Sequence, residues 1–168
     1  MKIKFIILLI TLINLCLGQD GFKEFKADKY SLSYPANWRL DSSGTMNTKF
    51  ILFSELKEKD TFNENINMVV QDLTSQQGFT MESYVKLSEN QIKNIISEGK
   101  ILESVYDTVN EHHTLIWSGN VTGEVLKFKQ YYFLKNELLY LLTLTTRPDS
   151  YEEYILIGDK ILDSFKLK

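Results

Sequence analysis

The segment Leu138–Thr146, with the sequence LLYLLTLTT, decides the fold. Alternate side chains of a β-strand point to opposite faces. One face of this segment carries leucines and Tyr140, and the other begins with Leu139 and Leu141 before two threonines. Both faces are therefore apolar over much of the length. This pattern predicts a central strand that is covered on both sides.

Six further strands are predicted outward from this segment, and in the first of them Tyr30, Leu32 and Tyr34 alternate with serines. They cover residues 30–34, 49–56, 66–73, 101–109, 112–121 and 124–134. The last strands are joined by turns of two or three residues, and short turns imply antiparallel neighbours. Gly44 marks the turn of the first hairpin. Residues 19–28 are interpreted as a polar lead-in without a strand.

Two helices are predicted from apolar residues at helical spacing. The first has Thr80 as its N-cap and Gly99 as the residue that follows its end. The second comes after Pro148, where Ser150 and Glu153 form a capping-box pattern. Two helices and an antiparallel sheet of six to seven strands predict an α+β fold. We expect an α/β/α sandwich with one helix on each face of the sheet.

The first 18 residues have the pattern of a secretory signal peptide. Lys2 and Lys4 precede thirteen residues, 5–17, of which only two are polar. Small residues stand at the right positions for cleavage between Gly18 and Gln19. A membrane-spanning helix needs about 20 apolar residues, which makes an uncleaved anchor the least favoured interpretation.

Acylation of Cys16 is an alternative, but Leu15 stands where a lipoprotein signal has a small residue. Cleavage after residue 18 would leave 150 of the 168 residues and no cysteine. The formal net charge would change from −3 to −5, because two lysines are lost. Residues 19–168 are expected to form one domain, exported to the periplasm or secreted, with no transmembrane anchor after processing.

The composition excludes several classes of protein. A hydrophobic content of 43% with 12% aromatic residues is too high for intrinsic disorder. A single cysteine excludes a disulfide scaffold. The acidic balance, without a basic stripe, argues against a nucleic-acid partner.

The stretch Tyr30-Ser-Leu-Ser-Tyr34-Pro35-Ala-Asn-Trp38 resembles the start of PsbP-like domains. The long hairpin at residues 129–145 and the closing helix that runs into Ser164-Phe165-Lys166 are also similar to that family. The resemblance implies the α/β/α sandwich of the PsbP/Mog-type superfamily. It further implies action by binding another protein, with no shared catalytic apparatus and no functional residue to transfer.

His112 and His113 are the only histidines. Neighbouring residues of a strand point to opposite faces, so both cannot readily bind one metal ion. A turn at residues 110–111 could instead join one histidine to Asp107 and Glu111. A partly exposed strand edge is the favoured interpretation of the histidine pair, over a metal site.

Two other groups of residues are candidates for sites. Acidic residues between two predicted strands favour a solvated edge: Glu55, Glu58, Asp60 and Glu64. Four aromatic residues favour the core over a ligand groove: Trp38, Trp117, Tyr131 and Tyr132. Lys127, Lys129 and Gln130 lie among the last of these and leave open a mixed pocket between sheet and helix.

These observations predict a non-enzymatic binding or assembly module of the cell envelope, whose partner is another envelope protein. No catalytic, cofactor or metal residues are assigned, because no motif ties a nucleophile, phosphate loop or ligand set together. The alternative is a carrier of a small ligand or lipid in a pocket between sheet and helix. A hydrolase is the least favoured class and would require a Ser/His/acid arrangement built by the fold.

Overall fold

The computed structural model describes residues 21–58, 61–76, 78–121 and 123–168. The predicted signal peptide at residues 1–18 lies outside them, as do Cys16, Gln19 and Asp60. The described part contains ten strands, two α-helices and a short 3-10 helix at Thr45–Asn47. In chain order the strands and α-helices are β1 (Phe22–Lys26), β2 (Tyr30–Pro35), β3 (Arg39–Asp41), β4 (Phe50–Phe53), β5 (Asn65–Asp72), α1 (Met81–Asn94), β6 (Ser97–Asp107), β7 (His112–Val121), β8 (Glu124–Lys135), β9 (Leu138–Thr146), α2 (Tyr151–Asp163) and β10 (Lys166–Leu167).

Seven strands form the main sheet, in the order β3-β4-β5-β9-β8-β7-β6, and every neighbouring pair is antiparallel. The strand β9 lies in the middle, between β5 and β8, which confirms the prediction from its sequence. Its alternate side chains enter two apolar clusters. Tyr140, Leu142 and Leu144 pack with α2, whereas Leu139 packs with α1.

The two helices cover the main sheet only in part. The helix α1 contacts β6, β7 and β8 and contributes Val85 and Ile92 to its apolar cluster. The helix α2 contacts β9 and β2 and contributes Tyr154, Ile161 and Leu162 to the other cluster. The α+β class and the antiparallel seven-stranded sheet are confirmed. No helix of the described residues is long and apolar enough to cross a membrane.

A second sheet of three strands, in the order β1-β2-β10, was not predicted. The prediction of a lead-in without a strand was wrong for β1, whose five residues pair with β2. The strand β2 of this sheet is tied to the end of α2. There Ser164 Oγ accepts a hydrogen bond from the Ser33 amide at 2.8 Å. The closing Ser-Phe-Lys segment therefore joins β2 to the helix.

The predicted start of α1 is confirmed, but its predicted end is wrong. Thr80 Oγ1 accepts a hydrogen bond from the Ser83 amide at 3.1 Å, as an N-cap should. The helix ends at Asn94, and Gly99 lies in β6. A Cβ atom on Gly99 would stand 1.9 Å from the carbonyl oxygen of Ile92. The glycine is therefore required by close packing of backbone on backbone.

The predicted capping box of α2 is also wrong. Ser150 is the N-cap residue, but its side chain makes no capping hydrogen bond. Its carbonyl oxygen accepts the Glu153 amide at 3.1 Å instead. Glu153 turns outward and pairs with Lys57 at 2.5 Å.

Candidate functional site

The strand β6 is one edge of the main sheet. It pairs with β7 on one side, and no described strand pairs with the other. At eleven residues it is much longer than β3, the three-residue strand at the opposite edge. Long edge strands offer unpaired N–H and C=O groups to a partner chain, and short ones protect against such pairing.

Several apolar side chains of β6 and of the turn after it are exposed. Leu102, Val105 and Tyr106 are 47%, 48% and 49% exposed, and Val109 in the following turn is 85% exposed. Val105 and Tyr106 are neighbours in a regular strand and therefore point to opposite faces of the sheet, so both faces of this edge expose apolar surface. We call Leu102, Val105, Tyr106 and Val109 the β6 apolar edge.

The regularity of β6 differs between its two halves. The pairing with β7 shifts between Ser97 and Lys100 and again between Ile101 and Glu103. From Glu103 to Asp107 each residue has a partner, in the order Ile116 to His112. Bulges discourage edge pairing. The regular stretch 103–107 is therefore the part of the edge that can accept another strand.

A groove lies beside this stretch, between α1 and β6, with a cavity volume of about 490 Å³. Its apolar lining comes from Met81, Val85 and Tyr106. Three polar residues, Glu89, Ser104 and His113, converge in it.

These three polar residues form a hydrogen-bonded chain. Ser104 Oγ donates to Glu89 Oε1 at 2.6 Å and lies 2.9 Å from His113 Nε2. Because the serine donates its one hydroxyl hydrogen to Glu89, His113 Nε2–H donates to the serine. A nucleophilic triad has the opposite order, with histidine accepting from serine and the acid holding the histidine. Burial lowers the pKa of His113, against the opposing effect of Glu89.

The histidine pair does not lie at a strand edge, so that interpretation was wrong. The strand β7 is enclosed by β6 and β8. His112 is 5% exposed, and its ring lies 4.0 Å from that of Tyr131. Burial lowers the pKa of His112, although Asp107 partly opposes this. His113 faces the α1 groove instead, on the opposite side of the sheet, as strand geometry predicts.

The alternative metal ligands are not brought together. Asp107 accepts the amides of Val109 and Asn110 at 2.8 and 3.0 Å, so its carboxylate organises the β6–β7 turn. The hydrogen bond from the Asn110 side chain lowers the pKa of Asp107 most, and these two amide hydrogen bonds lower it further. Within the described ranges, no three His, Cys, Asp or Glu side chains form a group that could hold a metal ion.

The interpretation of the four aromatic residues as core is confirmed, since all four are buried. The mixed pocket is not formed, because its members lie on two faces of the sheet. Gln130 Oε1 accepts from Trp117 Nε1 at 2.9 Å and from the Tyr132 hydroxyl at 2.7 Å, on the α1 side. Lys129 pairs with Asp159 of α2 at 2.7 Å, on the other side.

The solvated acidic edge is confirmed in part. Glu55 and Glu58 are exposed. Glu64 is 1% exposed, so its assignment to the edge was wrong. The carbonyl oxygen of Glu64 accepts the Ser54 amide at 2.8 Å, and this pairing draws the residue inward, beside the end of β4.

Comparison with known proteins agrees with this architecture. The family described as PsbP-like protein matches residues 18–167. The chain belongs to the PsbP-like protein family. No curated protein matches the chain at a significant level.

Solved structures similar to this PsbP-like chain share its fold at low sequence identity. Cyanobacterial PsbP (CyanoP) from Synechocystis sp. PCC 6803 has a TM-score of 0.60 and 15% identity, covering 88% of this chain and 93% of its own. LpqN, involved in cell envelope biogenesis of Mycobacterium tuberculosis, has a TM-score of 0.56 and 12% identity, with 88% and 91% covered. The Ran-binding protein Mog1p of Saccharomyces cerevisiae has a TM-score of 0.55 and 10% identity, with 87% and 95% covered.

The sequence did not reveal the groove of this PsbP-like chain. Ser104 and Tyr106 alternate along β6, which was a usable signal for a shared face. The alternation is interrupted near Ile101, where the pairing with β7 is irregular and the residues that face α1 change. For this reason the sequence pattern alone does not show which residues of β6 share a face. Glu89 comes from a distant helix, and nothing in its local sequence indicates Ser104 as its partner.

Proposed function

We propose that this PsbP-like protein is a non-enzymatic protein-binding module of the cell envelope. The observation that carries the proposal is the regularly paired stretch 103–107 at the edge of the main sheet, where Val105 and Tyr106 are exposed and no described strand pairs with the outer side. We interpret α1 and α2 as incomplete covers on opposite faces, an α/β/α sandwich that leaves this edge free. A partner would add a strand to β6 through main-chain hydrogen bonds.

The charges of β6 indicate the chemistry of that partner. Glu98, Glu103 and Asp107 are acidic, and Lys100 is the one basic residue of the strand. Opposite charges on facing strands stabilise pairing, and like charges oppose it. The favoured partner is therefore an extended segment in which apolar residues alternate with lysine or arginine.

We also propose that the protein acts after export. Residues 1–18 would be removed between Gly18 and Gln19, leaving residues 19–168 as one domain. The similarity in fold to LpqN, a protein involved in cell envelope biogenesis, supports this location. Mass analysis of the mature N-terminus would test it, because Gln19 at the N-terminus and an acylated Cys16 have different masses.

Site-specific photocrosslinking in cells that produce the full chain tests the binding function. A photoreactive phenylalanine analogue would replace Val105, in the β6 apolar edge. The matched control would replace Leu156, an apolar residue of α2 that is 72% exposed. We expect an adduct of one discrete mass from position 105 and none from position 156. Equal adducts from both positions, or none from β6, would count against the proposal.

A carrier of a small ligand is the second candidate function. The groove between α1 and β6 favours it, since 490 Å³ falls within the usual range for small-molecule sites. Native mass spectrometry of the purified protein would show a bound ligand. The substitution Val85→Gln, in the apolar lining, should reduce its retention. A carrier is contradicted if the mass equals that of the bare chain.

A further inference from the structure

The regular half of β6 presents different chemistry to the two faces of the main sheet. Ser104 and Tyr106 line the groove beside α1. Successive side chains of a strand point to opposite faces, so Glu103, Val105 and Asp107 point away from α1. That second face carries two acids and no basic residue within the regular half. A strand added to β6 would therefore meet a groove on one face and two negative charges on the other.

The polar groups of the groove already pair with one another. Lys86 pairs with Glu82 at 2.7 Å, within the first turns of α1. Ser104 Oγ donates to the other acid, Glu89, at 2.6 Å and accepts from His113 at 2.9 Å. Polar groups that lose their partners on burial cost free energy. An apolar side chain can enter the groove without breaking any of these bonds, and it needs no polar partner there.

The remainder of the lining is apolar and continuous with the strand edge. Val85 is buried and Met81 is half-buried, on the side of α1. Tyr106 and Ser104 belong both to the groove and to the edge. A volume of about 490 Å³ lies in the range that holds a small molecule, so the groove has room for apolar side chains of an added strand.

The charges of the edge argue against a second copy of this chain as the added strand. Two copies that pair antiparallel over the whole of the regular half would be centred on Val105. Glu103 of each copy would then lie opposite Asp107 of the other. Like charges directly opposite each other destabilise a strand pair. A partner with basic residues at those two positions would be stabilised instead.

We propose that the groove between α1 and β6 receives apolar side chains of a strand that a partner protein adds to this edge. The proposal rests on the strand addition proposed above as the function and specifies its register. The partner residues opposite Ser104 and Tyr106 are apolar and face α1. Those opposite Glu103 and Asp107 are lysine or arginine and face away from α1. A five-residue partner segment therefore has basic residues at its first and fifth positions and apolar residues at its second and fourth.

Three capped peptides test this register on the isotope-labelled protein, with affinities measured by NMR titration. The first contains Lys-Val-Val-Val-Lys, a palindrome that fits either strand orientation. In the second, Lys-Thr-Val-Thr-Lys, threonine replaces both valines that face the groove with the same shape. It should bind about tenfold more weakly, because two hydroxyl groups would be buried without partners. The matched control is Lys-Val-Thr-Val-Lys, whose threonine faces away from α1 and should weaken binding less than about threefold.

Variants of the protein test the two faces separately. Glu103→Gln should weaken the binding of Lys-Val-Val-Val-Lys about threefold, because one opposite charge is lost. Glu98→Gln, an exposed acid in the irregular half of β6, is its matched control and should leave the affinity unchanged. Met81→Gln, in the apolar lining, should bring the affinity for Lys-Val-Val-Val-Lys close to that for Lys-Thr-Val-Thr-Lys. A purely structural role for Met81 would weaken both peptides alike.

Protection of the amides of residues 103–107 from hydrogen exchange separates this proposal from the proposed function. If all three peptides protect these amides with equal affinity, strand addition stands and the role of the groove is overturned. If none protects them, both are overturned. Protection that appears without peptide and grows with protein concentration would identify a second copy as the occupant, against the proposal. Equal shifts of the Val85 methyl groups with N-acetylleucine amide and with the first peptide would identify a small ligand, also against it.

Discussion

Gln130 joins three side chains on the α1 side of the core through hydrogen bonds. Its Oε1 atom accepts hydrogen bonds from Trp117 Nε1 and from the Tyr132 hydroxyl, at 2.9 and 2.7 Å. Its Nε2 atom donates to Thr143 Oγ1 at 3.2 Å. The substitution Gln130→Met keeps the shape of the side chain but leaves both buried donors unpaired.

The expected cost follows from the number of donors that lose a partner. Each buried donor left unpaired costs about 1–3 kcal/mol, so two would cost about 2–6 kcal/mol. Burial raises the pKa of Tyr132, and a hydrogen bond with the Ser88 side chain opposes this, so Ser88 offers the Tyr132 hydroxyl a replacement partner. We therefore expect Gln130→Met to reduce the free energy of unfolding by about 2–4 kcal/mol, the lower half of that range.

Urea denaturation, followed by far-ultraviolet circular dichroism and tryptophan fluorescence, measures this loss. The control is Gln71→Met, which removes an exposed amide that accepts from the Tyr84 hydroxyl at 2.7 Å. Because water can replace that bond, the control should cost less than about 0.5 kcal/mol. A loss below about 1 kcal/mol for Gln130→Met would refute the assignment of Gln130 as the shared acceptor.

Three further predictions concern stability. Gly99→Ala should lower the free energy of unfolding by about 3 kcal/mol, because the new Cβ atom meets the carbonyl oxygen of Ile92. Urea denaturation measures this loss, and an unchanged stability would contradict the close packing at Gly99. Thr80→Ala should cost about 1 kcal/mol and speed amide exchange in the first turn of α1, and unchanged exchange there would rule out its capping role. The pKa values of His112 and His113 are lowered by burial, so the unfolded chain binds their protons more readily. The free energy of unfolding should therefore fall as the pH drops below about 6.5, the pKa of an unfolded histidine, towards the lower pKa values of the folded state. The substitution His112→Gln should make this fall smaller. If the variant and the wild type have the same dependence of stability on pH, His112 is excluded as a cause.

The central strands could be predicted because the pattern of apolar residues in each sequence indicates which of its faces are buried. Leu138–Thr146 and His112–Val121 were predicted with the boundaries that the structure shows. The apolar residues on both faces of β9 indicated that it is buried on both sides. The short turns indicated that neighbouring strands are antiparallel. These are local signals, carried by residues within one strand or one hairpin.

The features that could not be predicted depend on contacts between distant segments. The strand β1 is mostly exposed, so it lacks an apolar pattern, and only pairing with β2 defines it. Glu64 is predicted as a loop residue because it lies in the polar segment between two predicted strands, and its burial follows from backbone pairing with Ser54. The edge position of β6 is a property of the strand order, which no single segment of the sequence carries.

Strand addition at β6 is tested most directly with two short peptides. One alternates valine with lysine and the other alternates valine with glutamate, and each is added to the isotope-labelled protein. We predict that the lysine peptide changes the NMR chemical shifts of the main-chain amides of residues 103–107 and protects these amides from hydrogen exchange. Added salt should weaken both effects, and the glutamate peptide should cause neither of them. Equal effects from both peptides, or protection confined to other strands, would contradict the assignment of β6 as the partner-binding edge.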